Sequence, residues 1–456
     1  MNLQMQTKVI SLFTLLFFAG STLFAQQQRV LDKVFIGNEG VFGSTSGTIT
    51  ALDFQDKTIS QNVFSNANNG ADLGNVVQSI TRIGNELYVV ANNSHQIVVM
   101  DAVTFQQTGL IQISGEKAPR EIRQVNDTLA YVTNLYGGGI GMVDLRSFAE
   151  YDSAVATGMN PDKMLVYEER AYVGNWGFGK DSTISVIHTG THSVVDTLQV
   201  SRGPRSMFVD ETGKLWVVCA GYAGDYDEDF NLIPGTSRPG GIHAFDLETG
   251  REEVFIEVPS AKEDFAYNAE ANEAYINAGG VRRVDLEAET VSGDTLVNGN
   301  FYAMSYARSG GENYLFLTDA KDFSSAGELF VHTLDGEQVA GYTTGTVPGS
   351  FHFRYQSASD IVETNEARPK NFSLGANYPN PFNPSTNIPF TLKQSGPVAL
   401  SIYAINGQKV ATLVNGTMPA GSHTVNFHTG ALASGIYFYR LEASGKVLTR
   451  KMILAK

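Results

Sequence analysis

A single cysteine, Cys219, occurs in 456 residues, so no disulfide can form within the chain and its stability must come from burial. The surroundings of Cys219, Leu215-Trp216-Val217-Val218-Cys219-Ala220, form an apolar strand-like run with no histidine nearby, which argues for a buried small residue rather than a nucleophile. Several catalytic signatures are missing too: no Gly-x-Ser-x-Gly elbow, no His-Glu-x-x-His, no Walker loop and no cysteine pair at metal-binding spacing. These absences exclude the enzymes that carry such local motifs, though not a site assembled from distant segments. After the N-terminal region no apolar run is long enough to span a bilayer, and long helical periodicity is lacking. Positive charge is also short. The net charge is −15, and an acidic body repels nucleic acid and anionic membrane.

The N-terminal region is of a different kind. Lys8 supplies a positive start, residues 9–18 are mostly apolar, and Ala19, Ser21 and Ala25 are small residues suited to cleavage. Gly20, Ser21 and Thr22 interrupt the run too early for a membrane anchor. Residues 1–25 are therefore read as a secretory signal peptide, with cleavage after Ala25.

Beyond it the chain repeats. Tyr131-Val132-Thr133-Asn134, Tyr172-Val173-Gly174-Asn175 and Tyr275-Ile276-Asn277-Ala278 are joined by looser copies beginning at Phe35, Val89, Trp216 and Phe316, seven in all. Asn92 to Asn134 is 42 residues and Asn134 to Asn175 is 41, the period of a four-stranded propeller blade. A second run often follows and ends on an acidic residue, as in Ile97-Val98-Val99-Met100-Asp101. Others are led by proline, as in Pro119-Arg120-Glu121-Ile122 and Pro204-Arg205-Ser206-Met207. Residues 26–355 are thus expected to form an all-β, seven-bladed β-propeller. The strand-like segment Gly349-Ser350-Phe351-His352-Phe353-Arg354-Tyr355 is surplus after the seventh unit, and the first unit lacks its leading strand, so the two ends should complete one blade and close the ring. The repeats resemble the YVTN type of propeller found in bacterial cell-surface and surface-layer-like proteins.

Residues 356–370 are polar and read as a linker. From 371 to 456 the charge reverses, with seven lysines and arginines against Glu442 alone, which marks a separate unit. Alternating runs such as Val398-Ala399-Leu400-Ser401-Ile402-Tyr403 suggest a small Ig-like β-sandwich. The segment opens on Tyr378-Pro379-Asn380-Pro381-Phe382 and closes on Leu432-Ala433-Ser434-Gly435-Ile436-Tyr437-Phe438 before a basic end. That order of motifs resembles the type A C-terminal sorting domain of the Bacteroidetes type IX secretion system. The resemblance implies recognition by the type IX translocon, proteolytic removal, and a secreted or outer-membrane surface-attached product reached through the periplasm.

Candidate chemistry lies in the propeller. Alignment of the units places Arg120, Asp162 and Arg205 just after the leading turn of neighbouring blades, where they could face the channel as an anion clamp or form a structural ion-pair ring. Asn134 and Asn175 end strands, a role asparagine fills through local backbone bonds, or they could line the channel with a cation as in lactonase-like propellers. The fifth unit carries an insertion at residues 221–241 in which Asp225, Asp227 and Asp229 alternate like the start of a Ca2+ loop. Phe230 and Thr236 stand where an EF-hand needs glycine and glutamate, which favours a solvated acidic loop. His188 and His192 lie four apart on a hairpin, a poor arrangement for a shared metal. These residues favour a non-catalytic binding protein for a glycan, peptide or envelope partner. The alternatives are a lactonase-like hydrolase or lyase with a channel cation, and a structural surface-layer component.

Overall fold

A computed structural model describes residues 30–258, 265–356 and most of 373–455, leaving out 376, 378–379, 393–395, 405–407, 420, 431 and 444–445. The signal peptide with its Ala25 cleavage site, the linker, and Tyr378 and Pro379 of the sorting motif fall outside the described residues. The chain divides into two compact units, one reaching residue 357 and the other beginning at 358.

In the first unit almost every described element is a strand, and the strands form seven four-stranded antiparallel sheets. The second sheet is typical: Val77–Ile83, Glu86–Ala91, Gln96–Asp101 and Gln107–Gln112 follow one another in order. The third to seventh sheets start with Pro119–Gln124, Pro161–Tyr167, Pro204–Val209, Phe265–Asn268 and Met304–Ser309. The first sheet departs from this order. Its leading strand is Pro348–Tyr355, which pairs antiparallel with Leu31–Asn38 in a register that sets Ile36 opposite Phe351. The fold is a β-propeller closed by pairing the two ends of its chain, which leaves no open seam between first and last sheets.

The repeated tetrapeptides are the second strands, and their near-continuous apolar character follows from burial on both faces. In Glu86–Ala91, Leu87 and Val89 pack toward the first sheet, while Tyr88 and Val90 pack toward the third. One apolar cluster fills each of the seven junctions between neighbouring sheets. The cluster at the closing junction joins Leu31, Ile36 and Leu52 to Phe316, Leu329 and Val331, with Phe351 and Phe353 packed against it. Polar ties cross the junctions as well. Asn92 donates to the carbonyls of Ala118 and Pro119, Thr133 Oγ1 donates to the Asp162 carbonyl at 2.6 Å, and Thr318 Oγ1 to the Pro348 carbonyl at 2.7 Å. Each tie runs from the end of a second strand to the start of the next sheet, so these side-chain hydrogen bonds index three of the seven junctions.

The C-terminal unit is a small sandwich. Ser373–Leu374, Ser385–Leu392 and Gly421–His428 form one sheet; Lys409–Met418, Gly396–Ala404, Gly435–Ala443 and Lys446–Leu454 form the other. Leu400, Tyr439, Leu441 and Met452 are fully buried in its core. The sorting motif is pinned to the last strand. Phe382 is 2 % exposed, its N–H donates to the Ile453 carbonyl at 3.0 Å, and Asn380 Oδ1 accepts from the Ile453 N–H at 2.9 Å. Pro381 lies between these two anchors, and Gly435 opens the strand that follows the loop.

Phe316 is fully buried where the ring closes, within 5.1 Å of the Phe353 ring. Phe316→Ala is expected to lower unfolding stability by about 3–5 kcal/mol in denaturant titration, the cost of truncating a buried aromatic. An exposed counterpart, Phe230→Ala, should change it by less than about 0.5 kcal/mol.

Candidate functional site

The channel is lined by the leading strands, and their first residues are set by a repeated local device. The residue before the strand adopts a left-handed conformation: Val76 (φ 60°), Ala118 (φ 51°), Asn160 (φ 48°), Gly203 (φ 68°) and Val347 (φ 56°). In all five sheets a β-bulge follows at once, at Gly349 in the first and, where there is a side chain to aim, between Val77 and Ser79, Pro119 and Glu121, Pro161 and Met164, and Pro204 and Ser206. A bulge takes one residue out of the ladder and re-aims its side chain. The residues so released are Gln78, Arg120, Asp162 and Arg205, and they meet across sheet boundaries.

Asp162 is the centre of that meeting. Arg120 Nε donates to its Oδ1 at 2.7 Å, and Arg205 Nη1 lies 2.8 Å from its Oδ2. Arg120 also donates to Gln78 Oε1 at 2.5 Å. Asp162 and Arg205 are each 1 % exposed. Burial alone would push the Asp162 carboxyl up, but the two guanidinium groups outweigh it and hold the group well below the usual carboxylate range. The two arginines thus share one carboxylate as a structural ion-pair cluster, rather than presenting an anion clamp.

Trp176 covers the cluster, and Tyr302 holds a nearby carboxylate, Glu39. The Trp176 ring lies 4.2 Å from the Arg205 guanidinium carbon and 5.9 Å from that of Arg120, and it packs against Phe178 with ring centroids 4.6 Å apart. Tyr302 donates to Glu39 Oε1 at 2.8 Å and meets Phe323 edge-on at 5.5 Å. Burial of Glu39 raises its carboxyl above the ordinary value, outweighing the Tyr302 hydrogen bond and the nearby Arg120, Lys163 and Arg205. Glu39 and Trp176 follow the second strands of their sheets directly, and Tyr302 precedes a leading strand. None of these occupies the position shared by Arg120, Asp162 and Arg205, so alignment of the repeats does not find them.

The loops at this end of the channel join second to third strands, and fourth strands to the next sheet. They carry most of the exposed large apolar side chains of the propeller's loops: Phe42, Tyr136, Met159, Phe178, Tyr226, Phe230, Leu232, Ile233 and Phe323. The opposite end carries Val103 in a loop and Tyr167 at the last position of a leading strand. Three of the aromatic residues also hold left-handed backbone: Phe178 (φ 53°, 46 % exposed), Phe230 (φ 62°, 86 %) and Phe323 (φ 60°, 54 %). For a bulky residue that conformation costs on the order of 1–2 kcal/mol.

Other sequence candidates fall elsewhere. Asn175 spends its amide on Thr183 Oγ1 and Ser185 Oγ, at 2.9 and 3.0 Å, within its own sheet. Asn134 is 2 % exposed, with its amide nitrogen beside Gly141 of the adjoining strand. Asn175 is thus a strand-end brace, and Asn134 occupies the equivalent buried position of the neighbouring sheet. Asp225, Asp227 and Asp229 do not converge. Asp225 accepts from Tyr222 and pairs with Lys180, Asp227 accepts the backbone N–H groups of Asp229 and Asn231, and Asp229 is exposed. In this structure the fifth-sheet insertion is a loop closed on itself, with its three carboxylates turned to separate surroundings. Among the described residues no group of three or more His, Cys, Asp or Glu side chains is placed to hold a metal. His192 Nδ1 lies 2.6 Å from the Tyr131 hydroxyl, whereas His188 Nδ1 accepts from Gly190 and Thr191 of its own turn. Cys219 is fully buried, and burial pushes its thiol well above the ordinary range.

Comparison with known proteins agrees with this architecture. A solved quinonprotein alcohol dehydrogenase-like protein from Bacteroides thetaiotaomicron superposes with a TM-score of 0.54 at 12% identity, over 72% of this chain and 79% of that one. At that identity the likeness concerns the fold alone. Weaker matches are Kuenenia stuttgartiensis hydrazine synthase (TM-score 0.49, 17% identity, 60% and 88% coverage) and apo AztD from Citrobacter koseri (0.45, 10%, 72% and 98%). The molecule is a β-propeller joined to a sorting domain. Residues 376–455 match the secretion system C-terminal sorting domain, and residues 32–222 match a domain of unknown function, DUF5074. The chain is accordingly addressed to the type IX secretion system and exported to the cell surface or the extracellular space. No curated protein matches its sequence significantly. No helix among the described residues is long and apolar enough to cross a membrane.

Two substitutions separate the charge terms. Asp162→Asn would leave two arginines buried against a neutral amide and is expected to cost about 3–5 kcal/mol at pH 7, read from urea midpoints. Because the folded value of Asp162 is depressed, its contribution is full above the ordinary carboxylate range and is lost only as pH falls through the lower folded value. Glu39 has the opposite sign: its raised value makes the ionised form a penalty above the ordinary range, relieved on acidification. Glu39→Gln should therefore raise the melting temperature at pH 7.5, with the gain shrinking toward pH 4 in a differential scanning series.

Proposed function

We propose that this protein is a non-catalytic binding propeller, exported by type IX secretion, which uses the aromatic mouth of its channel to hold a carbohydrate of the envelope or its surroundings. The observation that carries this reading is the coincidence of exposure and strain at Phe178, Phe230 and Phe323. Neither folding nor solubility favours a bulky aromatic side chain in water on a left-handed backbone, so a benefit outside folding is implied. The chemistry beneath them suits a sugar. Flat aromatic faces accept the C–H faces of a pyranose ring, while Tyr136 at the rim and Gln78 and Glu39 below it offer partners to hydroxyl groups. Trp176 and Tyr302 fix the rim to the buried ion-pair cluster, so the aromatic platforms stand on a stiff base. The sorting domain supplies the route, and its removal at export would leave the propeller as the working part.

Affinity electrophoresis through gels containing bacterial surface polysaccharides tests this. Wild-type protein should be retarded by at least one polysaccharide of the panel. Phe178→Ala combined with Phe323→Ala should weaken retention at least tenfold while the melting temperature holds. Equal retention of the double variant, or no retardation of the wild type by any glycan, would refute the reading.

A further inference from the structure

A second feature of the channel lies beyond the ion-pair cluster, away from the aromatic mouth. A cavity of about 330 Å³ is bounded by the leading strands of the first, second, third, fourth and seventh sheets. Its charge balance is one-sided. Arg82, Arg123 and Lys163 line it, against the single carboxylate of Glu121. That carboxylate is already engaged, since Oε1 pairs with Arg123 at 2.5 Å and Oε2 accepts the Met164 N–H at 2.7 Å. Lys163 lies in the part of the bulge that turns its strand toward the axis, and its charge is felt at longer range by the carboxylates of Asp162 and Glu39.

Neutral polar groups in the same wall are also unmatched. Thr81 is 7 % exposed, and its Oγ1 has no hydrogen-bond partner among the described residues; the same holds for the buried Nε2 of His352. An orphaned buried polar atom costs about 1–3 kcal/mol, and a hydroxyl and an imidazole nitrogen left this way behind the wall of one cavity would gain by turning toward a polar occupant. The local field agrees in sign. Burial and the charges of Arg82, Arg123 and Arg354 hold His352 down to about 4, which keeps the ring neutral at pH 7 and able to donate or accept.

We infer that this cavity is a binding site for a small organic oxyanion bearing two or more carboxylate or phosphate groups. Lys163 and Arg82 supply charge, Arg123 supplies a planar donor held in place by Glu121, and Thr81 and His352 supply directional hydrogen bonds. The volume lies at the small end of ligand pockets and suits an acid the size of citrate or a monosaccharide bisphosphate rather than a polymer. The inference is independent of the carbohydrate reading, because it uses neither the aromatic loops nor their residues.

Isothermal titration calorimetry of the full chain at fixed ionic strength tests it, with citrate, inorganic phosphate and fructose 1,6-bisphosphate as probes and fructose as the neutral control. Saturable binding of citrate or fructose 1,6-bisphosphate is expected, with no heat from fructose. Phosphate alone binding as tightly as the organic anions would overturn the claim of a multiply charged organic ligand. Lys163→Met should weaken binding at least tenfold. Arg82→Gln, at an exposed position where misfolding is not expected, should weaken it at least threefold and serves as the deciding variant if Lys163→Met does not fold. Absence of saturable binding by the wild type, or binding that the folded variants leave within twofold, would overturn the assignment.

Discussion

The carboxylate of Asp162, buried between two guanidinium groups that come from the sheets on either side, is the interaction on which the channel depends. An ionised carboxyl in such a place is tolerated only because Arg120 and Arg205 both reach it. Each is delivered by the same bulge at the start of its strand. The cluster therefore fixes the third, fourth and fifth sheets around the axis. It also provides the cationic surface on which Trp176 rests, and through Trp176 it sets the position of Phe178. Ring closure by Pro348–Tyr355 supplies the matching constraint on the other side. Gly349 is part of it: a Cβ there would meet Glu39 Oε1 at 2.5 Å, so glycine makes room for the carboxyl that Tyr302 holds.

The two ends of the channel differ in chemistry. At one end, apolar rings stand in water above a buried ion-pair cluster; toward the other, cations and unmatched polar atoms surround a small cavity. A structural shell would need neither. Folding stability is already supplied by the seven apolar junctions and the ties between sheets. Strain in the mouth loops and orphaned groups in the cavity run against stability, which is the usual mark of surfaces shaped by a partner.

Much of the fold is legible in the sequence because second strands buried on both faces must be apolar throughout, and because a period near 42 residues repeats that signal. The surplus segment from Gly349 to Tyr355 foreshadows ring closure by simple strand counting. The site is less legible. Arg120, Asp162 and Arg205 share a repeat position, and the sequence brings them together correctly, but which of two roles they serve depends on distances that no pattern encodes. Gln78 sits at the same position without a leading proline and so escapes notice. Glu39, Trp176 and Tyr302 come from loops and turns of different sheets, where only the closed ring makes them neighbours. Asn175 and Asp227 mislead for one reason: both spend their polar atoms on nearby backbone or side-chain groups, a choice sequence spacing cannot distinguish from ligand binding.

The sorting domain accounts for where the protein goes, and the propeller must account for what it does there. The central claim is that partner contact occurs at the aromatic mouth. Hydrogen–deuterium exchange of the exported chain, with and without the polysaccharide that retards it, is the most direct measurement. The account predicts protection concentrated in residues 39–47, 176–182 and 320–325, the loops that carry Phe42, Phe178 and Phe323. Protection confined to the outer strands or to the opposite loops, with these three segments unchanged, would contradict it.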